Sequence, residues 1–160
     1  MPNRTRQIFL AILIISVLVA CGPDRQEAAR QKFESIPLMP GSVLVTTASG
    51  IDGGSSETCY GGYVETLYGT TKSKAEVIAF YRQYAQENNW IINETPSTDW
   101  LSALNQEDYA FGVTIVTPIG PSEPYPSVHI IDPKVFEKAL SQFNTVYLLH
   151  TSYYSNRKNC

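Results

Sequence analysis

The chain's changing hydrophobic period from residue 42 onward constrains its fold more than any other feature. Short runs rich in Val, Ile, Thr and Tyr recur, and only two segments carry a helical period. Ser42 to Ala48 (SVLVTTA) is β-branched and reads as a strand. Thr58 to Tyr68 (TCYGGYVETLY) reads as a second strand. The turn-rich stretch Ser49 to Glu57 lies between them, so the pair predicts a hairpin. Alternation puts Tyr63, Glu65 and Leu67 on one face, against Val64, Thr66 and Tyr68 on the other. Gly61-Gly62 marks a bulge or a close approach of another backbone. Trp90 to Ile92, Tyr109 to Thr117, Ser127 to Ile131 and Thr145 to Tyr154 read as further strands. Thr98 to Asp108 fits one helical turn or a strand.

Both helical segments carry start signals. Ser73-Lys74-Ala75-Glu76 is a capping box: the Ser73 hydroxyl can accept from the Glu76 amide, and the Glu76 carboxylate can accept from the Ser73 amide. Val77, Phe80, Tyr81 and Tyr84 then follow the i, i+3, i+4, i+7 spacing of one apolar stripe, in a helix that runs to about Asn88. Asn88-Asn89 suits a left-handed exit. Asp132-Pro133 supplies an N-cap and a first-turn proline for the second helix. Its apolar face is Val135, Phe136, Ala139, Leu140 and Phe143. The order β-β-α-β-(β)-β-(β)-α-β predicts an α+β fold: a mixed or antiparallel sheet of about five to six strands with one or two helices packed on one face.

The start of the chain reads as an address. Met1 to Gln7 is polar and carries Arg4 and Arg6, and Ile8 to Leu18 is uncharged and apolar. That run is short of the ~20 residues a spanning helix needs, and reads as an export signal. Leu18-Val19-Ala20-Cys21 resembles the bacterial lipobox. The resemblance implies a diacylglyceryl thioether on Cys21, cleavage before it, and acylation of the new amine. Two or three acyl chains, at ~0.8 kcal/mol per buried CH₂, make a stable anchor. The protein is therefore expected to be exported and lipid-anchored to the bacterial cell membrane or outer membrane, and Gly22 after the cysteine permits the latter. The expected division is a signal peptide over 1–20, lipidated Cys and tether over 21–37, with a short helix as an option within 22–35, and a single α+β domain over 38–160. Pro37 and Pro40 favour an extended entry to that domain. Leu38 to Ile92 is similar to a module of uncharacterised bacterial envelope lipoproteins, through Pro40-Gly41, Tyr68-Gly69-Thr70, Thr71 to Val77, Phe80-Tyr81 and Trp90. Asn89 stands where that module usually has glycine. The similarity implies a fold and an exported setting, and no activity.

The whole chain has 12 basic and 15 acidic residues. Losing residues 1–20 removes Arg4 and Arg6 and leaves 10 basic against 15 acidic. Nucleic acid and polybasic membrane binding both draw on clustered Lys and Arg, so this balance argues against them. Membrane contact is expected through the lipid on Cys21, with an envelope protein as a partner. Cys59 and Cys160 then remain. An oxidising compartment favours a bridge between them, which would stabilise by roughly 4–5 kcal/mol on the loop-entropy argument; two free thiols are the alternative. There is no Cys-x-x-Cys, and His129 and His150 lack ligand spacing, so no metal and no cofactor is expected.

No catalytic residue is assigned. Gly50 to Gly54 lacks the Lys-Ser/Thr of a phosphate loop, and Ser55 and Ser56 lie outside any Gly-x-Ser-x-Gly elbow. Asp52 and Glu57 are too few for calcium. Adjacent Glu107 and Asp108 point to opposite faces if extended, and His129 and His150 read as strand residues. Ten tyrosines are the unusual feature. Tyr60, Tyr63 and Tyr125 are the candidates for an aromatic binding surface, against the alternative of ordinary packing in strands. The function expected is non-enzymatic binding of a protein or other envelope component. The alternatives are a small-ligand or lipid-binding domain with a pocket between sheet and helix, and an envelope hydrolase whose residues converge only in the fold.

Overall fold

A computed structural model describes residues 25–52, 61–93, 97–105, 109–118, 129–130 and 132–153. In chain order the elements are α1 (Arg25–Ser35), β1 (Val43–Asp52), β2 (Gly61–Thr70), α2 (Lys74–Glu87), β3 (Ile91–Ile92), β4 (Trp100–Leu104), β5 (Tyr109–Val116), α3 (Pro133–Gln142) and β6 (Thr145–Tyr153). The six strands form one antiparallel sheet in the order β1-β2-β6-β5-β4-β3. The α+β class, the hairpin and the antiparallel option of the sequence reading hold. The turn expected from Ser49 starts later, because β1 continues to Asp52. A register shift between Leu44 and Thr46 bends its beginning. Of the strand expected over Ser127 to Ile131, the described residues His129 and Ile130 are not in a strand.

The helices lie on both faces of the sheet, not one. On the first face, Val77, Tyr81 and Ala85 of α2 pack with Trp90 on Tyr68, Leu101, Phe111, Val113, Tyr147 and Leu149. On the second, Phe136 and Ala139 of α3 pack on Leu67, Val116, Val146 and Leu148. The cause is β6. Its neighbours are β2 and β5, so it is central, and Val146-Tyr147-Leu148-Leu149 is buried on alternate sides.

The third helix, α1, falls within the stretch expected to be a tether. Its sequence, RQEAARQKFES, is rich in helix formers. Arg30 pairs with Glu27 at 2.7 Å and Glu34 at 2.6 Å, one turn away on either side. The residues it fully buries against the first face are small, Ala28 and Ala29, with Phe33 packed part-buried on the same core. It comes so close that a side chain on Gly62 would overlap the Arg25 carbonyl, which is the close approach that Gly61-Gly62 announces. The Thr151 hydroxyl donates to the Ala29 carbonyl at 3.2 Å. The Lys32 ammonium lies 5.2 Å from the Trp90 ring centre and 5.3 Å from that of Tyr109.

Both expected helix starts are present. Ser73 and Glu76 form the reciprocal capping box, and the Asp132 side chain accepts from the Lys134 amide ahead of Pro133. Asn89 has φ 58°, the left-handed exit expected there. At the centre of the first face, the Tyr147 hydroxyl donates to Ser42 Oγ at 2.8 Å and lies 3.3 Å from the Tyr81 hydroxyl. This chain of hydroxyls ties the segment before β1 to the core. Burial raises the pKa of both phenols, so they stay neutral hydrogen-bonding groups. No described helix is long and apolar enough to cross a membrane.

Candidate functional site

Three features stand out once the sheet is assembled. The first is a polar strip on the α3 face. Register pairs Glu65 of β2 with His150 of β6, and His150 with Gly112 of β5. The His150 ring occupies the space that a Gly112 side chain would need. Burial pushes the His150 pKa below its ordinary value, and the nearby His129 adds to the shift. His129 stacks on Tyr63, with ring centres 3.6 Å apart and planes at 11°. Tyr63, Glu65, His129 and His150 thus share one region, although 87 residues separate the first from the last. His129 reaches it from outside any strand, which corrects the strand reading. Among the described residues no serine hydrogen-bonds to His150. No group of three or more metal-ligating side chains occurs among the described residues.

The second feature is a groove of about 730 Å³ at the opposite end of the sheet. Ile115 and Val116 from β5 and Leu140 and Phe143 from the end of α3 form its apolar walls. Thr71, Thr117, Asn144 and Thr145 supply hydroxyls and an amide at its rim. Phe143 is seated where a side chain on Gly69 would stand, so β2 has no Cβ there for a physical reason. The Asn144 amide donates to the Thr71 carbonyl at 3.0 Å, joining the two turns that frame the opening. Lys74 and Glu76 also border the groove, and each is already engaged. Lys74 lies 2.8 Å from Asp99, while Glu76 accepts from the Ser73 amide and hydroxyl, both at 2.8 Å. The Ser73 amide, above all, holds the Glu76 carboxyl below its usual pKa, and Lys74 does the same for Asp99. The groove therefore offers apolar walls, a neutral hydrogen-bonding rim and charges that are internally balanced.

The third feature is a smaller groove of about 370 Å³ between α2 and the chain entering β4, with Arg82 in its wall.

Of the residues singled out from sequence, Tyr63 belongs to the polar strip. Cys21, Cys59, Tyr60, Tyr125 and Cys160 lie outside the described residues, as do Glu107 and Asp108. Sequence reading allowed a pocket between sheet and helix as an alternative but assigned it no lining residues, and it missed the meeting of His129 with Tyr63. The only signal for His150 was Gly112, whose missing side chain makes room for the ring.

Residues 44–124 match a START domain-like family. That segment runs from β1 through β5, and holds Tyr63, Glu65, Gly112, Arg82 and the β5 wall of the larger groove. His129, α3 and β6 follow it in sequence. No curated protein and no solved structure matches the chain. The matched segment covers half of the chain, which belongs to a START domain-like family.

Proposed function

We propose that this domain binds a small, largely apolar ligand of no net charge, and does so at the bacterial envelope, held there by lipid on Cys21. The observation that carries the binding reading is the groove of about 730 Å³ between the end of the sheet and α3. Ligand sites typically measure ~300–1,000 Å³ and combine apolar walls with a few placed polar groups. This groove has that make-up, and its charged neighbours are already engaged, Lys74 with Asp99 and Glu76 with Ser73 and Lys72. Membership of a START domain-like family favours ligand or lipid binding over protein docking. The anchoring rests on the Leu18-Val19-Ala20-Cys21 sequence, and α1 starts only four residues after that cysteine. The reading is non-enzymatic.

The test is extraction of the purified full chain with organic solvent, followed by mass spectrometry. A near-stoichiometric apolar compound is expected from the wild type, and much less from Leu140→Gln at equal folded yield. An empty wild type that also gives no thermal shift across a panel of lipids and glycans refutes the reading. An intact mass equal to the unmodified translation product refutes the anchor.

Docking of an envelope protein is the second reading, and one observation favours it. Ile91 and Leu104 are cross-strand partners at the β3 edge, and they are 62% and 53% exposed. Crosslinking in cells that carry the wild type or Cys21→Ser tests it. A specific protein captured only by the anchored form, and lost on Leu104→Lys, supports docking; equal capture by all three refutes it.

A further inference from the structure

The smaller groove has a different chemistry from the larger one. Ala75, Ile78, Ala79 and Arg82 of α2 form one side, and Ser97 and Thr98 the other. The lining is mainly apolar, with one cation. Arg82 makes no ion pair or hydrogen bond among the described residues. Its Nε–H is shielded from water and meets no acceptor. Such an orphaned donor is costly to leave unmade, and rare in native proteins. Ser97 is the second polar group. Its Oγ already accepts from the Asp99 amide at 3.1 Å and the Trp100 amide at 3.2 Å. A hydroxyl has two lone pairs and one proton, so Ser97 has only its O–H left to give. The carboxylate of Asp99, which follows Thr98 in sequence, is held by Lys74 at 2.8 Å. Among the described lining residues Arg82 and Ser97 thus present donors, one of them a guanidinium, while the Thr98 hydroxyl is engaged with Asp99, and all lie beside an apolar floor of alanine and isoleucine side chains. The complement of that set is an acceptor-only oxyanion joined to a short apolar tail. A planar guanidinium matches carboxylate and phosphate oxygens alike.

We infer that the α2 groove binds the oxyanion head of a single-chain amphiphile, with Arg82 and Ser97 as donors and Ala75, Ile78 and Ala79 against the tail. This site shares no lining residue with the larger groove, so either can fail without the other.

The experiment uses the full chain labelled with ¹⁵N-arginine, with octanoate, octyl phosphate, octanol and inorganic phosphate as probes below any micelle-forming concentration. The Arg82 Nε–H resonance, assigned by its loss in Arg82→Gln, is expected to shift with octanoate or octyl phosphate. One of these should bind at least tenfold more tightly than octanol. Which one does so distinguishes a carboxylate from a phosphate head. Arg82→Gln should reduce binding of that probe to the octanol level with no loss of Tm, since Arg82 makes no ion pair or hydrogen bond among the described residues and its Nε–H meets no acceptor. Ser97→Ala should weaken it several-fold. Leu140→Gln, in the other groove, should leave it unchanged. Octanol binding as tightly as both anions overturns the inference, and so does full affinity in Arg82→Gln. Inorganic phosphate binding as tightly as octyl phosphate overturns the role of the apolar floor.

Discussion

Gly112→Ala tests the packing of the polar strip most directly. The His150 ring lies in the space an alanine methyl would take. The Gly112 backbone is not in the left-handed region, so alanine brings no backbone strain of its own. Overpacking of this kind costs about 1–3 kcal/mol. Replacing a strand glycine by alanine returns roughly 0.5–1 kcal/mol through reduced chain entropy. Gly112→Ala alone should therefore destabilise by up to about 2.5 kcal/mol, or a few degrees of Tm in a domain of this size. In a His150→Ala background the obstacle is gone. The same substitution should then stabilise by roughly 0.5–1 kcal/mol, so its sign reverses. The coupling between the two positions is the overpacking cost itself, about 1–3 kcal/mol. Urea unfolding of the four proteins at pH 8 measures it. Coupling below about 0.5 kcal/mol is what independent sites show. That result would mean the ring does not fill the space above Gly112, and the account of the strip would fall.

The pH dependence of stability follows from the same histidine. Burial lowers the folded-state pKa of His150 below its unfolded value of about 6.5, so the unfolded chain binds more protons in that window. Its contribution should be complete above about pH 6.5 and lost as pH falls toward the folded-state value; Glu65 and His129 face the same group, so the comparison is with His150→Ala, whose curve of unfolding free energy from pH 8 to 5 should be flatter. Tyr147→Phe removes the bond to Ser42 and the hydroxyl partner of buried Tyr81, and should cost about 1–3 kcal/mol in chemical denaturation. In a cycle with Ser42→Ala, about 1 kcal/mol of that should appear as coupling. Ser73→Ala removes the N-cap of α2 and should cost about 1 kcal/mol by the same assay, with faster amide exchange confined to the first turn.

What was legible in the sequence was whatever has a local cause. A capping box needs only Ser73 and Glu76, and an N-cap followed by proline needs only Asp132 and Pro133, so both helices were readable from their starts. The faces of β2 followed from simple alternation. The helix α1 was not readable as part of the domain, because it buries alanines rather than a stripe of large residues. What makes it pack is Gly62, on a strand more than 25 residues away. The two-sided covering of the sheet had a local trace in Val146 to Leu149, where apolar residues run without alternation. The site was less legible than the fold for the same physical reason. Tyr63 with His129, and Gly112 with His150, meet only after distant strands pair. The larger groove takes its walls from β5 and α3 and its rim from the turns before α2 and β6.

The last strand is the element on which this assembly turns. β6 is the final strand in sequence, yet it lies between β2 and β5. It joins the β1–β2 hairpin to the β3–β4–β5 meander, and it closes two cores at once with Tyr147 and Leu149 on one side and Val146 and Leu148 on the other. The larger groove needs Thr145 at its start, and the polar strip needs His150 further along. The segment matching the family ends before α3, so α3 and β6 contribute residues to that site from beyond it. The Arg82 groove differs, being built from α2 and the approach to β4 alone. A ligand in the larger groove therefore favours the state in which β6 is docked, by RT ln(1 + [L]/Kd), or about 2.7 kcal/mol at a hundredfold excess over Kd. A proton on His150 disfavours that same state. Ligand and acid act with opposite sign on one strand, and an oxyanion beside Arg82 bears on it only through the stability of the domain as a whole.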